Sequence, residues 1–237
     1  MKICESTCYF VEQVIQLAYG GIIVKKAVII LTTLALLLSG CGADNKMNTI
    51  AAVDEKIEEK FKAEEEKTKE KVDMLQMASY KVDKSFRSFK LTVEAYQDGE
   101  LVEARSILEG SISDDGVESE GTVAMYFASD DEMNVLITGK NGRSTMTIDV
   151  ESFFENQKFD NIASWTSVGI GVDDKLELKD GEEYLLAAVR ISTDPNEKEI
   201  SGVGLKAIAE DMSVLNSMPY ALLLKCSFSE TPLTDGV

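Results

Sequence analysis

The chain has 237 residues, 42 acidic against 24 basic side chains and no histidine, for a formal net charge of −18. Such a chain is repelled by nucleic acid and by anionic headgroups, and the missing histidine removes Ser-His-Asp and Cys-His catalysis and every histidine-ligated zinc or haem site. A metal site would need oxygen ligands throughout, which favours calcium or magnesium.

In chain order, the first segment with a clear physical character runs from Val24 to Cys41. Lys25 and Lys26 lead into Ala27–Leu38, which carries no charge and no proline, and the run closes on Leu38-Ser39-Gly40-Cys41. It is shorter than the roughly 20 apolar residues that span a bilayer. Basic residues before such a run and small residues after it make a signal peptide rather than an anchor helix. A buried core helix, or an ordinary signal peptide with an incidental cysteine, is the plainer alternative. The segment resembles the signal peptide of bacterial lipoproteins with its lipobox, and the resemblance covers residues 24–41 only. It implies that Cys41 is lipidated on sulfur and that the chain is cut between Gly40 and Cys41. The new N-terminus would then hang from the outer face of a cell membrane, in a bacterium of Gram-positive type; two acyl chains or more would hold it firmly.

Residues 1–23 precede the lysines with which a signal peptide normally opens. Tyr19-Gly20-Gly21-Ile22-Ile23 fits a purine-rich ribosome-binding sequence ahead of a GTG start at Val24, so residues 1–23 are expected to be translated leader; a long n-region is the alternative. Residues 1–40 hold three bases (Lys2, Lys25, Lys26) and two acids (Glu5, Glu12), so the 197 residues from Cys41 onward keep 21 basic and 40 acidic side chains. Cys4, Cys8 and Cys41 belong to the leader and the anchor. Cys226 is then alone in the folded part, excludes an internal disulfide and reads as a small buried hydrophobe.

Gly42–Lys46 is expected to be a short tether. Residues 47–84 are rich in Glu, Lys, Ala and Met and lack glycine and proline. Ile50, Ile57, Phe61, Val72 and Leu75 make one helical stripe, and Glu-to-Lys pairs four apart, such as Glu65 with Lys69, support a solvated helix. The expectation is a stalk helix over 41–84 with its tether, with a coiled coil as the sharper alternative.

From Ser85 short alternating runs are divided by turn residues. Strands are expected over 86–96, 101–108, 122–128, 134–138, 144–150, 164–172, 175–178, 184–191 and 220–228, with turns at Asp98-Gly99, Lys140-Asn141-Gly142 and Asp180-Gly181. Residues 151–161 fit one short helical turn, and Leu205, Ile208, Met212 and Leu215 fit a short helix. The fold class is therefore all-β: an antiparallel β-sandwich of eight or nine strands over 85–237, behind the stalk helix, with one short helix near the C-terminus.

Acidic clusters at Asp114-Asp115 with Glu118 and Glu120, Asp130-Asp131-Glu132, Asp173-Asp174 and Asp180 with Glu182 and Glu183 lack the spaced calcium-loop pattern, so solvated turns are the favoured reading. Asp130, Asp131, Asp173 and Asp174 are the candidates should two loops converge on a metal. Trp165 reads as a core residue before a sugar platform. Carboxylate pairs arise by chance in so acidic a chain, and a sandwich of this size offers little cleft for a glycosidase. No catalytic residue and no cofactor is implied. The expected role is a non-catalytic envelope module that binds a protein or polymer; a solute receptor for a transporter and a calcium-responsive module are the alternatives.

Overall fold

The computed structural model describes residues 48–67, 72–112, 119–129, 131–139, 142–154, 159, 164–171, 174–194 and 204–233. Residues 24–41, expected to be a lipoprotein signal peptide, lie outside these residues. Thr49–Ala52 (β1), Asp73–Lys81 (β2), Glu120–Phe127 (β5), Glu132–Thr138 (β6), Arg143–Asp149 (β7) and Lys175–Glu177 (β9) form one antiparallel sheet, ordered β7-β6-β5-β2-β1-β9. Ser88–Gln97 (β3), Glu100–Ser111 (β4), Ser164–Gly169 (β8), Glu183–Ser192 (β10) and Tyr220–Ser229 (β11) form the second, ordered β4-β3-β11-β10-β8. Among the described residues there are thus eleven strands.

The inner faces share one core. Ile50, Ala78, Tyr80, Val123 and Met125 of the six-stranded sheet meet Phe89, Leu91, Val93, Val189 and Phe228 of the five-stranded one. Tyr80 lies 5.4 Å from Phe228 and Phe127 lies 4.3 Å from Trp165, ring centre to ring centre. Each outer face carries a helix. Glu55–Lys67 (α1) sets Phe61 on Leu75, Ala124, Tyr126 and Leu136. Leu205–Glu210 (α2) and the 3-10 helix Met212–Ser217 bring Leu205, Ile208 and Leu215 onto Tyr96, Ala188 and Leu223. Both faces are therefore apolar under their helix, and the polar remainder faces solvent.

The nine strands expected from Ser85 onward are all present, and the short helix near the C-terminus is Leu205–Glu210 continued by the 3-10 helix. Asp98 (φ 50°) and Gly99 (φ 84°) take the left-handed conformations that a two-residue hairpin demands. At Gly99 a side chain would also strike Asn216.

Residues 47–84 need a correction. They do not form one stalk helix: β1 and β2 are interior strands of the six-stranded sheet, and only Glu55–Lys67 between them is helical. The β-body therefore begins at Thr49, not at Ser85. Asp54 caps the helix, accepting from the Lys56 N–H at 2.9 Å, and Glu55 and Glu58 suit the positive end of the helix dipole. Of the proposed stripe, Ile50 is in the inter-sheet core, Phe61 of the helix packs on Leu75 of β2, and Ile57 is half exposed.

The strands define two ends with unlike charge. At the Asn48 end, backbone bonds from Leu178 to Asn48, Val82 to Ser119, Arg87 to Ser229 and Gly181 to Phe228 tie the turns together. Lys81, Lys84, Arg87, Arg143 and Lys179 are interspersed there with Asp83, Glu120, Glu177, Asp180, Glu182, Glu183 and Glu230. At the other end Asp98 bonds back to Pro219 and Val150 to Asp131. That end carries Asp54 after β1, Asp73 opening β2, Asp98 and Glu100 at the β3–β4 turn, and Asp131 and Glu132 between β5 and β6. Asp149 and Glu151 follow at the end of β7, and Asp194 follows β10. Among the described residues, no lysine or arginine stands in those turns.

Candidate functional site

Beyond the reach of α1, the outer face of the six-stranded sheet is polar. Register aligns Thr49, Lys81 and Glu120 in one row, and Ser79, Thr122, Thr138 and Arg143 in the next. Except for Arg143, these residues line an open groove of about 480 Å³. Lys81 Nζ lies 3.6 Å from Glu120 Oε2, an exposed pair that leaves the lining electrically balanced. Gly121 sits where any side chain would meet the Thr138 carbonyl and, at 2.6 Å, the Tyr80 hydroxyl. Hydroxyls and one ion pair suit hydrogen bonding to a polar ligand.

One wall of this face is fixed by a buried carboxylate. Phe61 and Glu65 are four apart on α1 and so share the face turned to the sheet. The Phe61 ring meets Tyr126 edge-on at 5.8 Å, and the Tyr126 hydroxyl donates to Glu65 Oε2 at 3.1 Å. Arg143 Nη1 donates to Glu65 Oε1. The Glu65 side chain is 2 % exposed while that of Arg143 is 47 % exposed, so the charge is compensated from the solvent side. The sequence suggested a solvated pair of Glu65 with Lys69; Lys69 lies outside the described residues, and Glu65 points into the sheet. The alternation of β5 shows Tyr126, but nothing in the sequence ties it to Glu65.

On the other outer face, Lys225 Nζ lies 2.7 Å from Glu94 Oε2 and 3.9 Å from Glu183 Oε2. Tyr96 donates to Glu94 at 2.7 Å, and burial, followed by that carboxylate, pushes the Tyr96 hydroxyl well above its usual range. One lysine thus stands between two carboxylates, nearer to Glu94, and leaves the trio with one net negative charge. Cys226 is buried beside Ile50, Ala78, Tyr80 and Phe228, and loss of solvent drives its thiol strongly upward, so it is held protonated. Trp165 is half-buried against Phe127, as core packing predicts.

Of the metal candidates, the two described, Asp131 and Asp174, lie apart. Asp131 lies in the β5–β6 turn, where Ser129 Oγ donates to it at 2.6 Å. Asp174 immediately precedes β9, and Lys175 of that strand is level with Ala51, Ser79 and Thr122. Thr122 and Phe127 are five residues apart on β5, roughly 17 Å, which puts the two carboxylates at different levels. Asp130 and Asp173 lie outside the described residues, as do Gly40 and Cys41. Among the described residues, no three Asp, Glu, Cys or His side chains are grouped to hold a metal ion. No described helix is long and apolar enough to cross a membrane.

No protein-family model, no curated protein and no solved structure matches this chain.

Two further features concern attachment. The Asn48 side chain donates to Asp83 Oδ2 at 2.8 Å and accepts from the Asp83 N–H at 2.7 Å, so the chain enters the fold through a two-way clamp. Ser85 donates to Asp83 through both its N–H (2.8 Å) and its hydroxyl (2.6 Å). These bonds, first that from the Ser85 hydroxyl and then that from Asn48, hold the Asp83 carboxyl below its usual range. The second feature is β4, whose far edge has no neighbouring strand among the described residues and which exposes Leu101 and Val102. Its inner side is closed by Arg105, which stacks 4.2 Å over Phe153 and donates to Ser152 Oγ at 3.0 Å.

Proposed function

We propose that the protein is a lipid-anchored module on the outer face of a bacterial membrane, where it binds another envelope protein or polymer without catalysing a reaction. The observation that carries this is Leu38-Ser39-Gly40-Cys41 closing an uncharged run behind Lys25 and Lys26. The lipid on Cys41 supplies the membrane partner, and nucleic acid is excluded by charge. Two features of the body support a binding role. Among the described residues no strand pairs with the far edge of β4, which carries exposed Leu101 and Val102, a ready place for an added strand or an apolar contact. The groove is open rather than enclosed, which suits a polymer or protein surface better than a small solute held for a transporter.

Metabolic labelling with a fatty acid tests the anchor. Cys41→Ala is expected to lose the label and stay uncleaved, and label retained by that variant refutes the assignment. Capture from membranes with the labelled protein, set against the Cys41→Ala form and a Val102→Lys form, tests the binding role. A partner lost from both variants supports it, and identical capture by all three forms argues against it.

A further inference from the structure

We infer that the Asn48 end of the body faces the lipid surface and that the acidic end points away from it. This rests on the lipid-anchor reading. Asn48 is seven residues beyond Cys41, and seven residues reach no further than about 25 Å when fully extended. Ten-residue β3 runs from the Asn48 end at Ser88 to the acidic end at Gln97, a length of roughly 30 Å. An inverted body, acidic end down, would hold Asn48 higher above the membrane than the tether can reach.

Charge favours the same pose over a body lying on its side. The Asn48 end mixes five cationic side chains with its carboxylates, whereas the described turns of the opposite end hold nine carboxylates, with the Arg105 guanidinium, bonded to Ser152, reaching them from β4. An anionic membrane repels the second far more strongly than the first within a Debye length of about 8–10 Å. The clamp of Asn48 on Asp83 and the bond from Leu178 N–H to the Asn48 carbonyl at 2.8 Å keep the tether's exit at that end. The hydroxyl-lined groove, whose rim includes Thr49, Lys81 and Glu120, then opens beside the lipid headgroups.

The test uses the chain from Cys41 to Val237, which holds every described residue of the fold. Cys41 is coupled to a maleimide-headgroup lipid in phosphatidylglycerol vesicles doped with a dansyl-headgroup lipid. Coupling is selective because Cys226 is buried and protonated. Energy transfer is read from the native Trp165, which opens β8 beside Phe127 at the acidic end. It is compared with Trp165→Phe carrying Lys179→Trp, and with Trp165→Phe carrying Lys84→Trp, both exposed positions at the Asn48 end. Transfer several-fold stronger from either introduced tryptophan than from Trp165 is the expected result. Equal transfer from all three, or the strongest from Trp165, overturns the orientation. The coupling supplies the anchor chemically, so this outcome is independent of the fatty-acid labelling that decides whether Cys41 is acylated in the cell.

Discussion

A chain that begins at Ser85 will not fold as the chain from Cys41 does. The shortened form lacks β1, α1 and β2, which lie in the middle of the six-stranded sheet and over it. β9 pairs only with β1, and β5 loses its partner on one side, so the sheet is cut into a three-stranded remnant and a stranded edge. Four large side chains leave with the segment: Ile50 and Tyr80 from the inter-sheet core, and Phe61 and Leu75 from the contact between helix and sheet. At about 2–5 kcal/mol for each large-to-small truncation, their joint loss is on the order of 8–20 kcal/mol, against the roughly 5–15 kcal/mol by which a native domain is stable. Near-ultraviolet circular dichroism and thermal melting of the two forms provide the assay. The longer chain is expected to melt cooperatively, and the shorter one to show neither fixed aromatic signal nor a sharp transition. A cooperative melt in the Ser85 form, close to that of the longer chain, would refute the placement of β1 and β2 inside the sheet.

Glu65→Ala and Arg143→Met should each destabilise the body by about 2–4 kcal/mol, Arg143→Met because it takes a guanidinium away from a buried carboxylate, and the double variant should lose much less than the sum; additive losses in denaturant titrations would dismiss the coupling. Asp83→Asn should lower the melting temperature at neutral pH. Because folding depresses the Asp83 pKa below its usual 3.8, the stabilisation is complete above that value and disappears as pH falls through the folded pKa, so wild type and variant should converge in acid; a gap that persists or widens there contradicts the argument. Sodium chloride should raise the melting temperature by screening the acidic end, and calcium at equal ionic strength should add little. A shift specific to calcium that disappears on neutralising Asp130 and Asp131, or Asp173 and Asp174, would reverse the solvated-turn reading.

The strands from Ser85 onward were legible because each is half-buried and alternates between tight turns. Val123, Met125 and Phe127 all entered the core, and Asp98-Gly99 forms the hairpin its positive φ values allow. β2 was illegible for a physical reason. It is covered on both faces, with Leu75 and Met77 toward α1 and Ala78 and Tyr80 toward the other sheet, so its pattern does not alternate. Met74, at φ 51°, also breaks its regular extension. Asp73-Met74-Leu75-Gln76-Met77-Ala78 is moreover composed largely of helix formers, which pairing with β1 and β5 overrides. The groove and the Glu65–Arg143 pair depend on register between residues 78 positions apart, which no local pattern records.

The placement of β1 also has a mechanical side. A pull transmitted through residue 41 enters at Asn48, at the tip of a strand held on both flanks by β2 and β9. Antiparallel hydrogen bonds run across the strand, perpendicular to such a load. Tension along β1 therefore shears two ladders at once, whereas β4 or β7, each with one neighbouring strand among the described residues, would resist the same pull with one. The clamp at Asp83 bears part of the load before either ladder does. A body loaded through β1 yields at a higher force than one loaded through an outer strand with a single neighbour.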